Sequence, residues 1–371
     1  MDNKTRTWAE IDLTAIRYNL RNIKKLLRPE TMLMAIVKAN AYGHGAYEVA
    51  RASLEEGASF LGVATLEEAM TLRESGINAP ILVLGYIEDV ETAIANSIRF
   101  TVFNSSMALD LARAASRLNQ PARVHIKLDT GMSRLGFQPG QSTLDTIVAI
   151  SKYPGIVIEG MFTHFAVADI KDKTFTYQQL ESFQQTAMEL EKRGIHIPLQ
   201  HVGNSAAIID LPEAQLDMVR AGIATYGLYP SREVNTERLS LIPAMRLISK
   251  ITMIKKIEQG RSVSYGRTFV SPAELVVATV PVGYADGYSR LLSNRAWATV
   301  MGQKVPLIGR VCMDQCMFDV SQVPDIKEGD EIILFGRPED GVTVDDLAEI
   351  IGTINYEVVC LITSRVPRIY T

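Results

Sequence analysis

The chain has 371 residues, of which 47% are hydrophobic and 22% charged, and its net charge at pH 7 is −4. This composition is typical of a globular protein with a large core, and the length predicts two domains or one barrel with an addition. A slightly acidic chain without a basic block argues against a nucleic acid or an anionic membrane as partner. Residues 1–10 are too polar for a signal peptide, and no run approaches the roughly 20 apolar residues of a membrane span.

The three cysteines, Cys312, Cys316 and Cys360, are too few for a disulfide framework. No second Cys or His pair follows nearby to complete a zinc site, so we expect no metal. A reducing, cytoplasmic location fits this cysteine usage best.

Apolar, β-branched runs alternate with helical patterns over the first two thirds of the chain. In one of these patterns, Thr65 is expected to cap a helix, with Glu68 reaching back to it in a capping box and Gly76 ending the helix. The predicted strands are Met32–Val37, Phe60–Ala64, Ile81–Gly85, Phe100–Phe103, Arg123–Asp129, Ile156–His164, His201–Val202 and Met218–Ala221.

Eight buried strands with intervening helices predict an α/β fold in which residues 1–242 form a (β/α)8 TIM-like barrel. From about Pro243 the pattern changes to short strands separated by turns, with one helix near Thr343–Ile351. Residues 243–371 are therefore expected to form a mostly antiparallel β domain. Its predicted strands are Ala244–Ile257, Leu275–Pro281, Ala296–Val300, Val305–Leu307, Met317–Val320 and Glu331–Phe335.

Lys38 ends the first predicted strand and opens a segment of small residues and glycines that runs to Gly45. The carboxyl ends of parallel strands are where barrels build their sites. An amine that burial strips of water can lose its proton and form a Schiff base with an aldehyde. The alternative is a lysine that only extends from a strand end into solvent.

A pyridoxal cofactor also needs a phosphate site, which barrels commonly place after strands 7 and 8. Here those strands are followed by residues 203–206, which include Ser205, and by Gly222 with Ile223. Arg220 ends the eighth strand and cannot accept a proton. Facing a pyridine nitrogen, it would keep that nitrogen unprotonated, although an arginine paired with a carboxylate is an equal expectation from position alone.

Seven segments of the chain resemble, in order, the motifs of bacterial alanine racemases, which depend on pyridoxal 5'-phosphate, and none of them departs from the family pattern. They are spread in order along nearly the whole chain, which makes the resemblance specific. The segments are Val37–Gly45, His125–Gly136, His201–Ser205, Val219–Ile223, Val263–Gly266, Pro281–Gly287 and Gly309–Asp314.

The resemblance implies that Lys38 holds the cofactor as an internal aldimine and later acts as one of two acid/base groups. Tyr265 is similar to the second base, which the other subunit of a homodimer supplies to a shared active site. Two bases on opposite faces are needed to invert a stereocentre, because one base would tend to return the proton to the face it came from. His164 resembles the residue that links Tyr265 to Arg220. Without the resemblance, Tyr265 would be read as an ordinary hairpin tyrosine.

The resemblance also assigns the other site residues. Arg134 matches the residue that reaches the cofactor's phenolic oxygen and the substrate carboxylate, and the backbone N–H of Met313 would bind that carboxylate. Lys127 matches a lysine that is often carbamylated, which the sequence leaves open here. Tyr356 and Tyr284 resemble the aromatic residues that narrow the substrate entrance, with Arg290 and Arg310 further out, although Tyr356 could also be a packing aromatic. The remaining cofactor-binding positions are Tyr42, Asn204, Ser205, Gly222, Ile223 and Tyr356.

The expected function is an alanine racemase that interconverts L-alanine and D-alanine and supplies D-alanine for peptidoglycan. A broad-specificity or serine racemase is one alternative, and a barrel decarboxylase another, although Arg220 argues against the latter. A non-catalytic cofactor-binding protein is a third. Proteins of that kind typically lack the β domain.

Overall fold

The computed structural model describes residues 6–371. No helix within that range combines the length and apolar character that crossing a membrane requires. The strands, in chain order from β1 to β19, are Thr7–Ile11, Met32–Ile36, Phe60–Val63, Ile81–Val83, Arg99–Val102, Ala122–Lys127, Ile156–Phe162, Leu199–His201, Met218–Ala221, Met245–Lys250, Met253–Ile257, Ser262–Val263, Phe269–Val270, Leu275–Val280, Trp297–Val300, Gln303–Pro306, Cys316–Asp319, Glu331–Phe335 and Arg368–Tyr370. The helices, from α1 to α11, are Leu13–Leu26, Lys38–Tyr42, Ala46–Glu55, Leu66–Glu74, Val90–Ala95, Ser105–Leu118, Gln141–Ile150, Thr174–Lys192, Ser205–Asp210, Val344–Ile351 and Asn355–Cys360.

The chain divides into two compact units. The barrel unit consists of Ile16–Ala41 and Ala46–Leu241. The β unit consists of Ile242–Thr371 together with Tyr42–Gly45 and the described residues up to Ala15.

Eight parallel strands form the sheet of the barrel unit, in the order β8-β7-β6-β5-β4-β3-β2-β9. Two backbone hydrogen bonds join its outer strands, from Asp217 N to Gln200 O (3.1 Å) and from Arg220 N to Gly203 O (2.9 Å). Strands β3, β4 and β9 are buried along their whole length, as expected for strands covered on both faces. The predicted (β/α)8 architecture is confirmed.

Helix α4 begins as predicted, because the Thr65 hydroxyl accepts a hydrogen bond from Glu68 N (3.3 Å). The second half of the predicted capping box is wrong. The Glu68 carboxylate does not return to Thr65 but accepts from the backbone N–H groups of Ala64 (2.7 Å) and Ala39 (2.6 Å). The helix ends at Glu74, and Gly76 then adopts a φ of +89°.

The β unit contains a six-stranded sheet in the order β16-β15-β18-β10-β1-β19 and smaller sheets of three and two strands. Between the strands of the described residues, β1 and β19 pair in parallel and the other pairings are antiparallel, which confirms the predicted mostly antiparallel domain. Strand β1 lies between β10 and β19, so this N-terminal segment belongs with the C-terminal residues and not with the rest of residues 1–242. The difference arises because an isolated strand of five residues carries no sign of its distant partners.

A small apolar core supports the part of the β unit that carries Tyr265. Its buried residues are Ile257, Val263, Leu275, Val277 and Ile308. Phe269 and Met317 pack against them. Helix α10 agrees with the helix predicted near Thr343–Ile351, and Thr343 caps it, whereas α11, which carries Tyr356, was not predicted.

Replacing Ile11 with alanine should lower the free energy of unfolding by about 2–5 kcal/mol, because the side chain is fully buried. Hydrogen exchange should show weaker protection of β10 and β19, its pairing partners, while the barrel strands keep their protection. Tyr86→Ala, at a side chain that is 61% exposed, is the control and should change neither measurement. Protection lost first in β3 would contradict the placement of β1.

Candidate active site

Lys38 opens a turn of left-handed helix at the carboxyl end of β2. The φ angles of Ala39, Asn40 and Ala41 are 52°, 51° and 53°, and Tyr42 follows with 51°. L-residues in this conformation cost roughly 1–2 kcal/mol each, and such strain is concentrated at functional sites. The predicted lysine therefore directly precedes a segment of strained backbone.

Arg220 lies buried on β9 and donates only to neutral acceptors. Its two terminal nitrogens contact the carbonyl oxygens of His201 (2.8 Å), Thr163 (2.8 Å) and Val202 (3.1 Å). Within residues 6–371, no carboxylate accepts a hydrogen bond from it. The alternative of an arginine paired with a carboxylate is therefore wrong. Burial lowers the pKa of Arg220 to about 9, which still leaves the guanidinium protonated at neutral pH.

The guanidinium also begins a buried chain of hydrogen bonds. Arg220 lies 3.0 Å from His201 Nδ1, His201 Nε2 lies 2.9 Å from His125 Nδ1, and His125 Nε2 lies 3.3 Å from Glu159 Oε2. An arginine can only donate, so His201 Nδ1 must accept and its proton sits on Nε2. The same reasoning places the His125 proton on Nε2, which donates to Glu159. Two neutral imidazoles thus connect the buried cation to a distant carboxylate.

The same cation determines the tautomer of His164, which lies just after β7. Arg220 lies 3.2 Å from His164 Nδ1, so this nitrogen accepts and Nε2 carries the proton. Burial holds the pKa of His164 well below its usual range, and Arg220, Arg134, Lys127 and Lys38 lower it further in that order. The histidine is neutral at pH 7, with an N–H available on Nε2.

Lys127 is a second buried cation near Arg220. Its Nζ donates to the carbonyl oxygen of Leu128 (2.6 Å). Burial, with a further contribution from Arg220, lowers its pKa to about 8, and Asp129 opposes that shift. A substantial fraction of this lysine is therefore neutral near pH 8.

Arg134 is exposed in the loop that follows β6. The Asp129 carboxylate shapes this loop by accepting from Gly131 N (3.1 Å) and Ser133 N (2.9 Å). At Gly136, with a φ of +129°, a Cβ would lie 2.6 Å from Asp129 N, so only glycine fits there. The loop is thereby closed onto the end of the strand that carries Lys127.

The two loops predicted to bind phosphate meet at Ser205. Its hydroxyl accepts from the backbone N–H groups of Gly222 (3.0 Å) and Ala224 (3.3 Å). The side chain of Asn204 caps helix α9 by accepting from Ala207 N (3.0 Å), and Ile223 is buried. A hydroxyl and backbone N–H groups thus converge at the carboxyl ends of β8 and β9.

These barrel residues fit pyridoxal phosphate. Lys38, Lys127, Arg134 and Arg220 all act on one imidazole, that of His164. Such an accumulation of positive charge suits a ligand with a phosphate and a phenolate oxygen.

In the β unit, Tyr265 lies in a tight turn and is 70% exposed. The Ser264 hydroxyl donates to Arg310 O (2.6 Å), and a Cβ on Gly266 would lie 3.1 Å from the Arg310 guanidinium carbon. A groove of about 590 Å³ adjoins this turn. The residues that line the groove are Ser264, Tyr265, Cys312, Met313, Asp314, Gln315 and Met317.

Met313 and Tyr284 lie on two segments that are joined by backbone hydrogen bonds. Tyr284 N donates to Cys312 O (3.1 Å), and Ala285 N donates to Met313 O (3.0 Å). Among the backbone hydrogen bonds of residues 6–371, Met313 accepts through its carbonyl, and none is donated by its N–H. Arg290 is exposed on a short helical turn further along.

Tyr42 and Tyr356 approach each other in the β unit, with ring centroids 6.1 Å apart. Tyr42 is buried, and burial raises the pKa of its phenol. Tyr356 is half-buried on α11. Both predicted phosphate-site tyrosines are thus neighbours.

Sequence reasoning missed the roles of His125, His201 and Glu159. Both histidines lie within the matched segments, and His125 shares a strand face with Lys127, two residues on. Glu159 interrupts the otherwise apolar strand β7. A carboxylate among the apolar residues of a strand was a signal for a polar partner.

A parallel (β/α)8 barrel with a lysine at the end of its first strand, followed by an antiparallel β unit, defines the class of barrel-type pyridoxal-phosphate enzymes. Family models for the alanine racemase N-terminal domain and C-terminal domain match residues 11–230 and 244–370. The chain therefore belongs to the alanine racemase family of pyridoxal-phosphate-dependent isomerases.

Individual relatives agree with this assignment. An alanine racemase of Clostridium perfringens is 50% identical over 98% of this chain and 95% of its own. A solved alanine racemase of Clostridium difficile 630 superposes with a TM-score of 0.97 at 45% identity, covering 100% of this chain and 97% of that one. A second structure from this organism, in complex with cycloserine, has a TM-score of 0.94 at 44% identity and covers 99% and 96%.

The free energy of unfolding should fall as the pH drops from 7.5 to 5.5. The pKa values of His125, His164 and His201 are lowered in the folded chain, whereas the unfolded histidines have a pKa of about 6.5. Below that pH the unfolded chain binds protons that the folded chain does not, at up to about 1.4 kcal/mol per histidine per pH unit. Urea unfolding at several pH values measures the slope. A His196→Gln variant, at an exposed histidine, should keep it, and a flat profile in the native chain would contradict the assigned neutral imidazoles.

Proposed function

We propose that this chain interconverts L-alanine and D-alanine through two residues that exchange protons on opposite faces of the substrate. The observation that carries the proposal is Arg220, a buried cation with only neutral hydrogen-bond acceptors. Bound pyridoxal phosphate supplies an aldehyde that links to an amine and a ring that withdraws electrons from the adjacent C–H bond. The residues of the chain determine where the proton goes.

Lys38 would hold the cofactor through its side-chain amine, and Arg220 would face the ring nitrogen. Because this arginine cannot accept a proton, it favours an unprotonated ring that withdraws electrons weakly. Decarboxylation is better served by a carboxylate at that position, so the geometry around Arg220 favours a racemase. The phosphate would be held by Tyr42, Ser205, Gly222, Ile223 and Tyr356, with Asn204 fixing the loop before Ser205.

Lys38 would remove or return the substrate proton on one face, and the partner's Tyr265 would act on the other. His164 presents an N–H on Nε2, because its Nδ1 accepts from Arg220. That N–H would donate to the tyrosine oxygen and stabilise it when it has lost its proton. The exposure of Tyr265, at 70%, supports a role in a homodimer with shared active sites.

The substrate carboxylate would be held by Arg134 and by the backbone N–H of Met313. The lowered pKa of Lys127 supports its carbamylation, because only a neutral amine adds to carbon dioxide. A carbamate there would turn a cation into an anion that attracts Arg134. Tyr284 and Tyr356 would narrow the entrance, with Arg290 and Arg310 further out, which suits a substrate as small as alanine.

Discrimination against serine would rest on this entrance and is worth about 1–3 kcal/mol. We further propose that residues 1–242 carry most of the cofactor site and that residues 243–371 supply Tyr265, Tyr356 and the entrance. Supply of D-alanine for peptidoglycan is the family's general role, and a cytoplasmic location stays a prediction from the cysteine usage.

Replacing Lys38 with alanine should abolish both racemisation and the absorbance of covalently bound cofactor, because it removes the amine that would link to the cofactor aldehyde. A chiral assay with L-alanine and an absorption spectrum measure the two effects. Lys192→Ala, at an exposed lysine of the same unit, should leave both unchanged. Turnover at the native rate by the Lys38 variant would end the proposal.

Chains with Lys38→Ala and chains with Tyr265→Ala should each be inactive, although the tyrosine variant keeps its cofactor. Co-expressed in equal amounts, they should recover about one quarter of the native activity, because half of the dimers are hybrids and each hybrid has one intact site of two. The chiral assay, applied to the whole purified population of co-expressed dimers, measures this activity. If both groups came from one chain, no site would be intact and activity would stay at zero.

A further inference from the structure

We propose that Glu68 is a positioning residue for Lys38, because its carboxylate holds the left-handed turn on which that lysine sits. The inference deepens the proposed function and depends on it only for the role of Lys38. It assigns to Glu68 a role other than the capping box that its sequence context predicts.

Both oxygens of the Glu68 carboxylate bind backbone N–H groups outside its own helix. Oε1 accepts from Ala39 N at 2.6 Å, and Oε2 accepts from Ala64 N at 2.7 Å. Ala39 directly follows Lys38, and Ala64 directly follows β3. Since β2 and β3 are adjacent parallel strands, one side chain ties together the carboxyl ends of both.

The start of this turn faces solvent. Ala39 and Asn40 are exposed, so packing contributes little to their conformation. Ala41 N donates to Val37 O (2.9 Å), and the Asn40 side chain accepts from Ala46 N (2.8 Å). Ala39 N–H is the first amide after the lysine, and Glu68 is its acceptor.

A carboxylate suits this task better than an amide does. It offers two acceptor oxygens and no donor, whereas a glutamine would place an N–H group against one of the two backbone N–H groups. Hydrogen bonds to a charged acceptor are also about twice as strong as neutral ones. We call the two hydrogen bonds from Ala39 N and Ala64 N to the Glu68 carboxylate the clamp. Without the clamp, the strained turn can relax toward the right-handed region that L-residues prefer, and the Lys38 amine would move with it.

Glu67 offers a matched control. It lies in the first turn of α4 like Glu68, but it is exposed, and its carboxylate accepts hydrogen bonds locally, from the Thr65 side chain and its own backbone N–H. Glu67→Gln and Glu68→Gln remove the same charge from the same helix end. Any difference between them therefore reports the clamp and not the helix dipole.

The test compares the holoenzymes of the native chain, Glu68→Gln, Glu68→Asp and Glu67→Gln. For Glu68→Gln we expect faster hydrogen exchange in the peptide that contains Ala39, a pyridoxal-phosphate affinity of the apoenzyme lowered about tenfold, and a kcat reduced by a similar factor with little change in KM. Glu68→Asp keeps the charge but shortens the side chain, so it should behave like Glu68→Gln. Glu67→Gln should match the native chain in every measurement.

Several results would overturn the proposal. One is a Glu68→Gln enzyme whose exchange at Ala39, cofactor affinity and kcat all match those of Glu67→Gln. Another is native behaviour of Glu68→Asp, which would mean that only the charge matters. Failure of both Glu68 variants to fold would make the residue a folding determinant. Hydrogen exchange and cofactor affinity decide the matter even if the native enzyme does not racemise alanine, so the two proposals fail separately.

Discussion

The site is organised around one buried guanidinium that has no carboxylate beside it. A cation in a barrel interior costs several kcal/mol unless it is hydrogen-bonded on all sides, and Arg220 obtains its acceptors from three carbonyl groups and two imidazoles. Because arginine can only donate, this single residue also fixes the tautomers of His201 and His164. One buried charge thereby sets the direction of every hydrogen bond around it.

The positive charge of the barrel site has few opposing groups nearby. Lys127 is buried close to Arg220, and Glu159 is reached only through two imidazoles. A bound anion would stabilise this arrangement, which is the physical reason that the site suits a phosphate, a phenolate oxygen and a substrate carboxylate. Burial is the main cause of the lowered pKa of Lys127, and the neighbouring Arg220 lowers this pKa further.

The barrel was predictable because strands buried on both faces leave continuous apolar runs, and the observed strands differ from the predicted ones only at their ends. Lys38, Arg220 and Ser205 could be proposed as site residues because they lie at the ends of such runs or follow them. The hydrogen-bond chain through His125 was not, since contacts between β6, β7 and β8 depend on register. The true role of Glu68 was hidden for another reason: a capping box and a clamp on a neighbouring strand share the same local sequence.

Each of the two proposed proton-transfer residues sits in backbone that L-residues avoid. Lys38 precedes four consecutive residues with positive φ, and Tyr265 lies between Ser264 at 66° and Gly266 at 71°. Strained backbone has few alternative conformations that keep its hydrogen bonds, so it fixes a side chain more narrowly than a relaxed loop does. A reaction that returns a proton to either face of a small substrate needs both groups held in this way, because a displaced group would lose rate on its own face. The cost in stability is therefore concentrated at the two positions where a rigid backbone contributes most to the reaction.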